Sequence, residues 1–229
     1  MKDKKSLLTI AIIVVGIVGL LIVLAKLGNK TNTPPTVVTA PVSATEHIRG
    51  PVNAPITLVE YSDFQCPACR SYEQNLKRLS AEYDQELRFV YRHFPLRSIH
   101  QNAEEAAWAA EAASVQGKFW EYHDVLFNTQ DKWSTESDPE SMFVEYAKSL
   151  GLNEEQFKKD YKSDAVKAIV NRDAKSGEDA HISGTPSFFL NGKFFEAPST
   201  YEGFSAAVVE QIILTGNNNV GNLGTSTTP

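Results

Sequence analysis

The chain's two cysteines stand three positions apart, in Cys66-Pro67-Ala68-Cys69, and no other thiol accompanies them. Two thiols make neither a disulfide framework nor a four-thiolate metal site, so the sulfurs serve each other or a partner that reaches them. Positions i and i+3 of a helix lie within disulfide range. A helix opening at Cys66 favours its thiolate through the macrodipole and the unpaired N–H groups of the first turn. Pro67 suits that turn because no N–H is needed there. Cys69 joins an apolar stripe and is expected to be buried. The chemistry is therefore thiol–disulfide exchange, with Cys66 attacking and leaving and Cys69 resolving the mixed disulfide. A structural disulfide would close only a short loop, where such bonds stabilise least. A zinc site would need two further ligands from five scattered histidines, which include no H-x₃₋₅-H pair. Neither a metal nor a cofactor is expected.

The cysteines need a strand before them and a helix after them. Residues 56–61 read as a buried strand, and Cys69, Tyr72, Leu76, Leu79 and Tyr83 recur at helical spacing behind the motif. A second strand, Leu87 to Phe94, stops at Pro95. A long helical block follows: Gln101–Ala113, Phe119–Phe127, Ser141–Leu150, Glu154–Tyr161 and Ser163–Glu178. The period then changes. Asn191-Gly192 between two apolar runs marks a hairpin, and a closing helix is expected from Tyr201 to Leu214, with Gly216 as its stop. The order is that of an α/β sheet interrupted by an all-helical insertion at about residues 98–180. By alternation Glu60 shares a face with Ile56 and Leu58, which puts a carboxylate into an apolar layer. It reads either as a proton acceptor for Cys69, its pKa raised by burial, or as half of an ion pair with Arg92. Trp108, Trp120, His93 and His123 read as packing residues.

The first thirty residues differ from the rest. Leu7 to Ala25 is an uncharged run of nineteen residues, about 28 Å at helical rise, and predicts a transmembrane anchor within residues 1–27. Its length and its basic end at Lys26 argue against a cleaved signal peptide. Lys2, Lys4 and Lys5 favour a cytoplasmic N-terminus. Residues 28–45 read as a Thr/Pro-rich linker, 46–215 as the folded domain and 216–229 as a disordered tail. Five of the 22 basic and one of the 28 acidic residues fall in the first thirty, leaving 17 against 27 beyond them. That acidic balance argues against a nucleic-acid partner.

The segment Val59-Glu60-Tyr61-Ser62-Asp63-Phe64-Gln65-Cys66-Pro67-Ala68-Cys69 resembles the active-site segment of the DsbA-type thiol–disulfide oxidoreductases of the thioredoxin superfamily. Tyr91-Arg92-His93-Phe94-Pro95-Leu96, Gln116–His123 and Gly184–Gly192 resemble that family's second-strand exit, inserted helix, and cis-proline loop with its hairpin. The likeness covers about residues 47–214 and is nearest to the membrane-anchored, extracytoplasmic BdbD type. It implies a thioredoxin-like fold with a helical insertion, Pro186 as a cis-proline facing Cys66, and Thr185 presenting backbone groups to a substrate strand. It also places Glu60 where the superfamily has its buried acid, favouring the proton role. Phe64 and Pro67, with Thr185 and Pro186, are assigned to a shallow substrate groove.

The resemblance implies a single-pass membrane protein with its catalytic domain outside the cell membrane. Its substrates would be reduced secreted or membrane proteins, and a quinone-coupled membrane partner would reoxidise it. A reductase, an isomerase or a non-catalytic peptide-binding module of the same fold are the alternatives. The chain departs from the pattern at Ala68, where these oxidases often carry a histidine, and Asp63 stands near enough in sequence to oppose a thiolate at Cys66.

Overall fold

A computed structural model describes residues 41–43 and 45–221. The apolar run from Leu7 to Ala25, most of the linker and residues 222–229 lie outside the described residues. Among those described, no helix is long and apolar enough to cross a membrane.

Five strands form one sheet in the order β1-β3-β2-β4-β5: β1 (His47–Arg49), β2 (Ile56–Ser62), β3 (Leu87–His93), β4 (Ser187–Leu190) and β5 (Lys193–Phe195). Strands β2 and β3 run parallel, and the other neighbouring pairs are antiparallel. Helix α1 (Pro67–Glu82) makes the crossover from β2 to β3. Six helices separate β3 from β4: α2 (Ala103–Val115), α3 (Phe119–Asn128), α4 (Gln130–Trp133), α5 (Glu140–Ser149), α6 (Glu154–Tyr161) and α7 (Asp164–Asp179). Helix α8 (Tyr201–Gly221) follows the hairpin. This is an α/β sheet with a helical insertion, as the order of elements predicts, and the thioredoxin-like fold that the resemblance implies.

The register divides the sheet into two faces. Ile56, Leu58, Glu60 and Ser62 of β2 pair with Leu87, Phe89, Tyr91 and His93 of β3. That face meets Leu76 and Leu79 of α1 and Tyr201, Phe204 and Val208 of α8 in one apolar cluster. The opposite face carries Val59, Tyr61, Val90 and Phe189 and packs against Ala180 at the end of α7. The Asn191-Gly192 turn forms where the sequence puts it, with φ of 49° and 78°. It is tied to the central strand: Asn191 N–H donates to the Thr57 carbonyl, and Thr57 N–H donates to Asn191 Oδ1.

Three elements depart from expectation. Strand β1 was not foreseen, because three residues are too few to show a period of two. The one-turn helix α4 is too short for helical periodicity to register. Helix α8 runs on through Gly216 to Gly221, so residues 216–221 belong to it and not to a tail. An interior glycine costs a helix only about 1 kcal/mol, so Gly216 alone does not end this one.

Gly50 lets β1 turn back toward β2. Its φ is +90°, and a Cβ placed there would lie 2.1 Å from the Leu87 carbonyl oxygen. Gly50→Ala is therefore expected to destabilise the chain by about 1–3 kcal/mol, read as a lower urea midpoint; an unchanged midpoint would contradict this account of the turn.

Candidate active site

Strand β2 delivers the chain to the site and a tight turn reverses it. Cys66 is the N-cap of α1, with φ −74° and ψ 119°, and Pro67 occupies the first turn. The turn is fastened from several sides. Asp63 accepts hydrogen bonds from Gln65 N–H (2.7 Å), Leu96 N–H (2.8 Å) and His100 Nδ1 (2.7 Å). Gln130 of α4 donates through Nε2 to the carbonyls of Phe64 (2.7 Å) and Cys66 (3.1 Å). Gln65 donates to the Ser134 carbonyl and accepts from Asn102 N–H. The helical insertion thus holds the cysteine loop from above.

Both cysteines are thiols, and they are unequal. Cys66 is 6% exposed and Cys69 is 1% exposed. The Cys66 thiol donates to the Thr185 carbonyl at 3.4 Å, and the Thr185–Pro186 peptide bond is cis. A hydrogen bond from the Cys69 thiol is the main cause that lowers the Cys66 pKa from 9.0 to about 5. The backbone N–H groups of Ala68 and Cys69 add to it, and burial opposes them. Burial pushes Cys69 the other way, well above the usual thiol range, and the hydrogen bond it gives to Cys66 and the negative charge of Glu60 act in the same direction.

Glu60 lies in the same buried layer, 2% exposed. It accepts a hydrogen bond of 2.8 Å from the Ser62 hydroxyl. Burial raises its pKa from 4.5 to about 8, against the lowering effect of Ser62. At neutral pH it is therefore mostly a carboxylic acid and can donate a proton. The ion-pair alternative is overturned by the register. Arg92 pairs with Tyr61 across the sheet, on the opposite face from Glu60. There its guanidinium meets the Glu46 carboxylate (2.8 and 3.1 Å) and the Tyr61 hydroxyl (2.8 Å).

The site residues read from the sequence therefore divide. Cys66, Cys69, Glu60, Pro67, Thr185 and Pro186 come together at one end of β2. Phe64 does not line an open groove: it is 1% exposed and packs on Tyr91, Phe127 and His123. An aromatic residue two positions before the cysteine is drawn inward because the insertion covers it. The open cleft beside the motif, about 300 Å³, is lined instead by Ala68, Tyr72, Pro186, Phe188, Phe194 and Phe195 among others. Asp63 binds the loops and is turned to them, not to the sulfur. His181, at φ 57° past the end of α7, is exposed.

Sequence reading missed several neighbours. Ser62 and Tyr91 sit beside Glu60, and the buried Tyr91 hydroxyl finds no hydrogen-bond partner among the described residues. Glu73, four residues after Cys69 on the same helical stripe, was legible in principle as a carboxylate at an apolar position. Two groups of donor side chains gather nearby: His47, His93 and Glu111, and Glu73, His123 and Asp124. In the first, Glu111 bridges both rings by hydrogen bonds, which together hold its pKa down at about 2 against burial. In the second, Arg49 and Lys77 already neutralise the carboxylates.

A family model described as Thioredoxin matches residues 42–210. Among solved structures, oxidised BdbD from Bacillus subtilis superposes with TM-score 0.68 at 20% identity, covering 77% of this chain and 97% of that one. Wolbachia pipientis alpha-DsbA1 gives TM-score 0.68 at 19% identity, over 80% and 97%. A thioredoxin-like oxidoreductase from Silicibacter pomeroyi gives TM-score 0.63 at 26% identity, over 73% and 92%. In sequence, the chain is 40% identical over 164 residues to the Na(+)/H(+) antiporter NhaA 3 of Salinispora tropica. That match takes in 72% of this chain but 24% of the antiporter, so the chain spans about a quarter of that relative's length.

A thiol whose proton affinity drops on folding stabilises the reduced chain fully above pH 9, and that stabilisation fades as the pH falls toward 5. Ultraviolet thiolate absorbance of the reduced chain is expected to titrate near pH 5 and to vanish in Cys66→Ser. The stability of the reduced form relative to the oxidised form should rise from pH 5 to 9; a flat difference would contradict the assignment.

Proposed function

The chain belongs to the thioredoxin family, and from that premise we propose that it is a DsbA-type thiol–disulfide oxidoreductase that donates disulfides to secreted or membrane proteins. The observation that carries this reading is the inequality of the two sulfurs at the start of α1. A thiolate at Cys66 favoured down to about pH 5 stabilises the reduced form, and a protein with a stable reduced form is an oxidant.

In the oxidised protein a substrate thiolate attacks Cys66 Sγ. The Cys66–Cys69 bond breaks, its electron pair passes to Cys69, and Cys69 takes a proton from the Glu60 carboxyl. The substrate is then held to Cys66 as a mixed disulfide, beside Thr185 and Pro186, with the aromatic cleft next to it. A second substrate thiolate attacks the substrate sulfur of that bond, and Cys66 leaves as a thiolate. Its low proton affinity makes it a good leaving group. The substrate has lost two electrons and the enzyme dithiol has gained them, so a membrane partner coupled to quinone is the proposed acceptor that restores the disulfide.

The proposed location is the outer side of the cell membrane, tethered by Leu7–Ala25. The length of that apolar run and the need of a cycling disulfide for an oxidising compartment support it. Protease added to intact, wall-stripped cells should then remove the domain; full protection of the chain would rule the location out.

Equilibration of the full chain with glutathione tests the direction of exchange. The expected potential is well above thioredoxin's value of about −270 mV, and one close to that value would make the protein a reductase. Cys69→Ser should accumulate mixed disulfides through Cys66 in cells. None at all would leave a peptide-binding module.

A further inference from the structure

Gln130 is a polar side chain only 3% exposed, and both hydrogen bonds that it donates go to the catalytic turn. It opens α4, a helix of four residues that could not stand alone. Other contacts keep that short turn in place. Trp133 is fully buried and donates through Nε1 to the Leu126 carbonyl at 2.9 Å. Asn102 Nδ2 donates to the Trp133 and Glu136 carbonyls, each at 2.9 Å. The Gln130 amide is thus carried on a base fixed to the helical insertion. It grips the carbonyl before Gln65 and the carbonyl after Cys66. Among the described residues no other donor reaches the Phe64 carbonyl. The Cys66 carbonyl also takes the first bond of α1, from Arg70 N–H at 3.2 Å.

The sulfur of Cys66 faces a different partner, the Thr185 carbonyl of the cis-proline loop. A carbonyl carries its negative end on oxygen, so one that swings toward the sulfur opposes a thiolate. Backbone N–H groups aimed at the sulfur favour it. We propose that Gln130 is a positioning residue for the exchange reaction: its buried amide holds the Phe64 and Cys66 carbonyls away from the Cys66 sulfur and leaves the first N–H groups of α1 facing it. The helical insertion thereby helps to set the redox potential while Gln130 touches neither sulfur. The inference rests on the exchange reaction proposed above. The low proton affinity of Cys66 supports it, since the N–H groups of Ala68 and Cys69 contribute to that affinity. The titratable neighbours do not compete in the acid range. Burial raises both Glu60 and Cys69, so both keep their protons there. Asp63 is turned to Gln65, Leu96 and His100.

The test is Gln130→Leu in the full chain, which keeps the bulk and removes the donors. The ultraviolet thiolate titration of the reduced chain is expected to move up by about one pH unit from its native midpoint near 5. The equilibrium with glutathione should become about tenfold less oxidising, a drop of about 30 mV. Gly50→Ala, destabilised at the opposite end of β2, should keep the native midpoint. A Gln130→Leu titration and potential superimposable on the native ones would overturn the proposal, and so would an equal shift in Gly50→Ala. A native chain that exchanges with neither glutathione nor a cysteine-containing peptide would overturn the functional reading instead, because the titration needs no exchange. A second measurement needs no variant. Bonds that favour the thiolate are favoured by it in return. In nitrogen-15-labelled reduced chain, the Gln130 side-chain amide resonance is therefore expected to shift with the Cys66 titration, and a resonance flat across it would overturn the proposal.

Discussion

Everything at the site depends on the sharp reversal between β2 and α1, and that reversal rests on the buried carboxylate of Asp63. Three donors converge on it, from the turn itself and from the segment that follows β3. Hydrogen bonds to an ionised acceptor are each worth about 1.5–3 kcal/mol, and removing the acceptor would leave its donors buried and unpaired. The same bonds join the exits of the two central parallel strands, so Cys66 is placed relative to the whole sheet. Sequence position alone made Asp63 look like a rival charge to the thiolate. Its direction was not readable there, because side chains in a turn follow no period.

The sheet keeps its charges apart by face. Tyr61 and Arg92 point to the side closed by α7, where Glu46 balances the guanidinium. Glu60, Ser62 and Tyr91 point to the side closed by α1 and the insertion, where the sulfurs are. A strand buried on both faces can carry a structural ion pair on one side and a titrating carboxyl on the other, with one residue between them. This separation keeps Glu60 protonated at neutral pH: a guanidinium in contact with it would favour the carboxylate and remove the acid.

What could be read in advance follows the range of each signal. The C-x-x-C motif, the two parallel strands, the Asn191-Gly192 turn and the long amphipathic helices are local patterns, and all appear in the fold. Glu60 was placed on its face by simple alternation along β2. The errors are contacts between distant segments. Phe64 belongs to the core only because α3 covers it, and Gln130 reaches the Cys66 carbonyl from a one-turn helix that no periodicity reveals. The charges around Glu73 come from β1, α1 and α3, which the sheet order brings together. None of the three segments marks the others.

Ala68 is the position at which the chain departs from the motif it resembles, and other groups act on the neighbouring Cys66 sulfur where a histidine would stand. The Cys66 thiolate is offered hydrogen bonds by the Cys69 thiol and two backbone N–H groups at the helix start, and these outweigh its burial. The first of them is the largest, and it depends on Cys69 keeping its proton. Burial and the hydrogen bond to Cys66 ensure that, by making a second thiolate beneath the first unfavourable. The lowered affinity of one sulfur and the raised affinity of the other are therefore one shared proton seen from its two ends. Burial of the inner cysteine therefore stabilises the outer thiolate indirectly, by keeping that cysteine a donor.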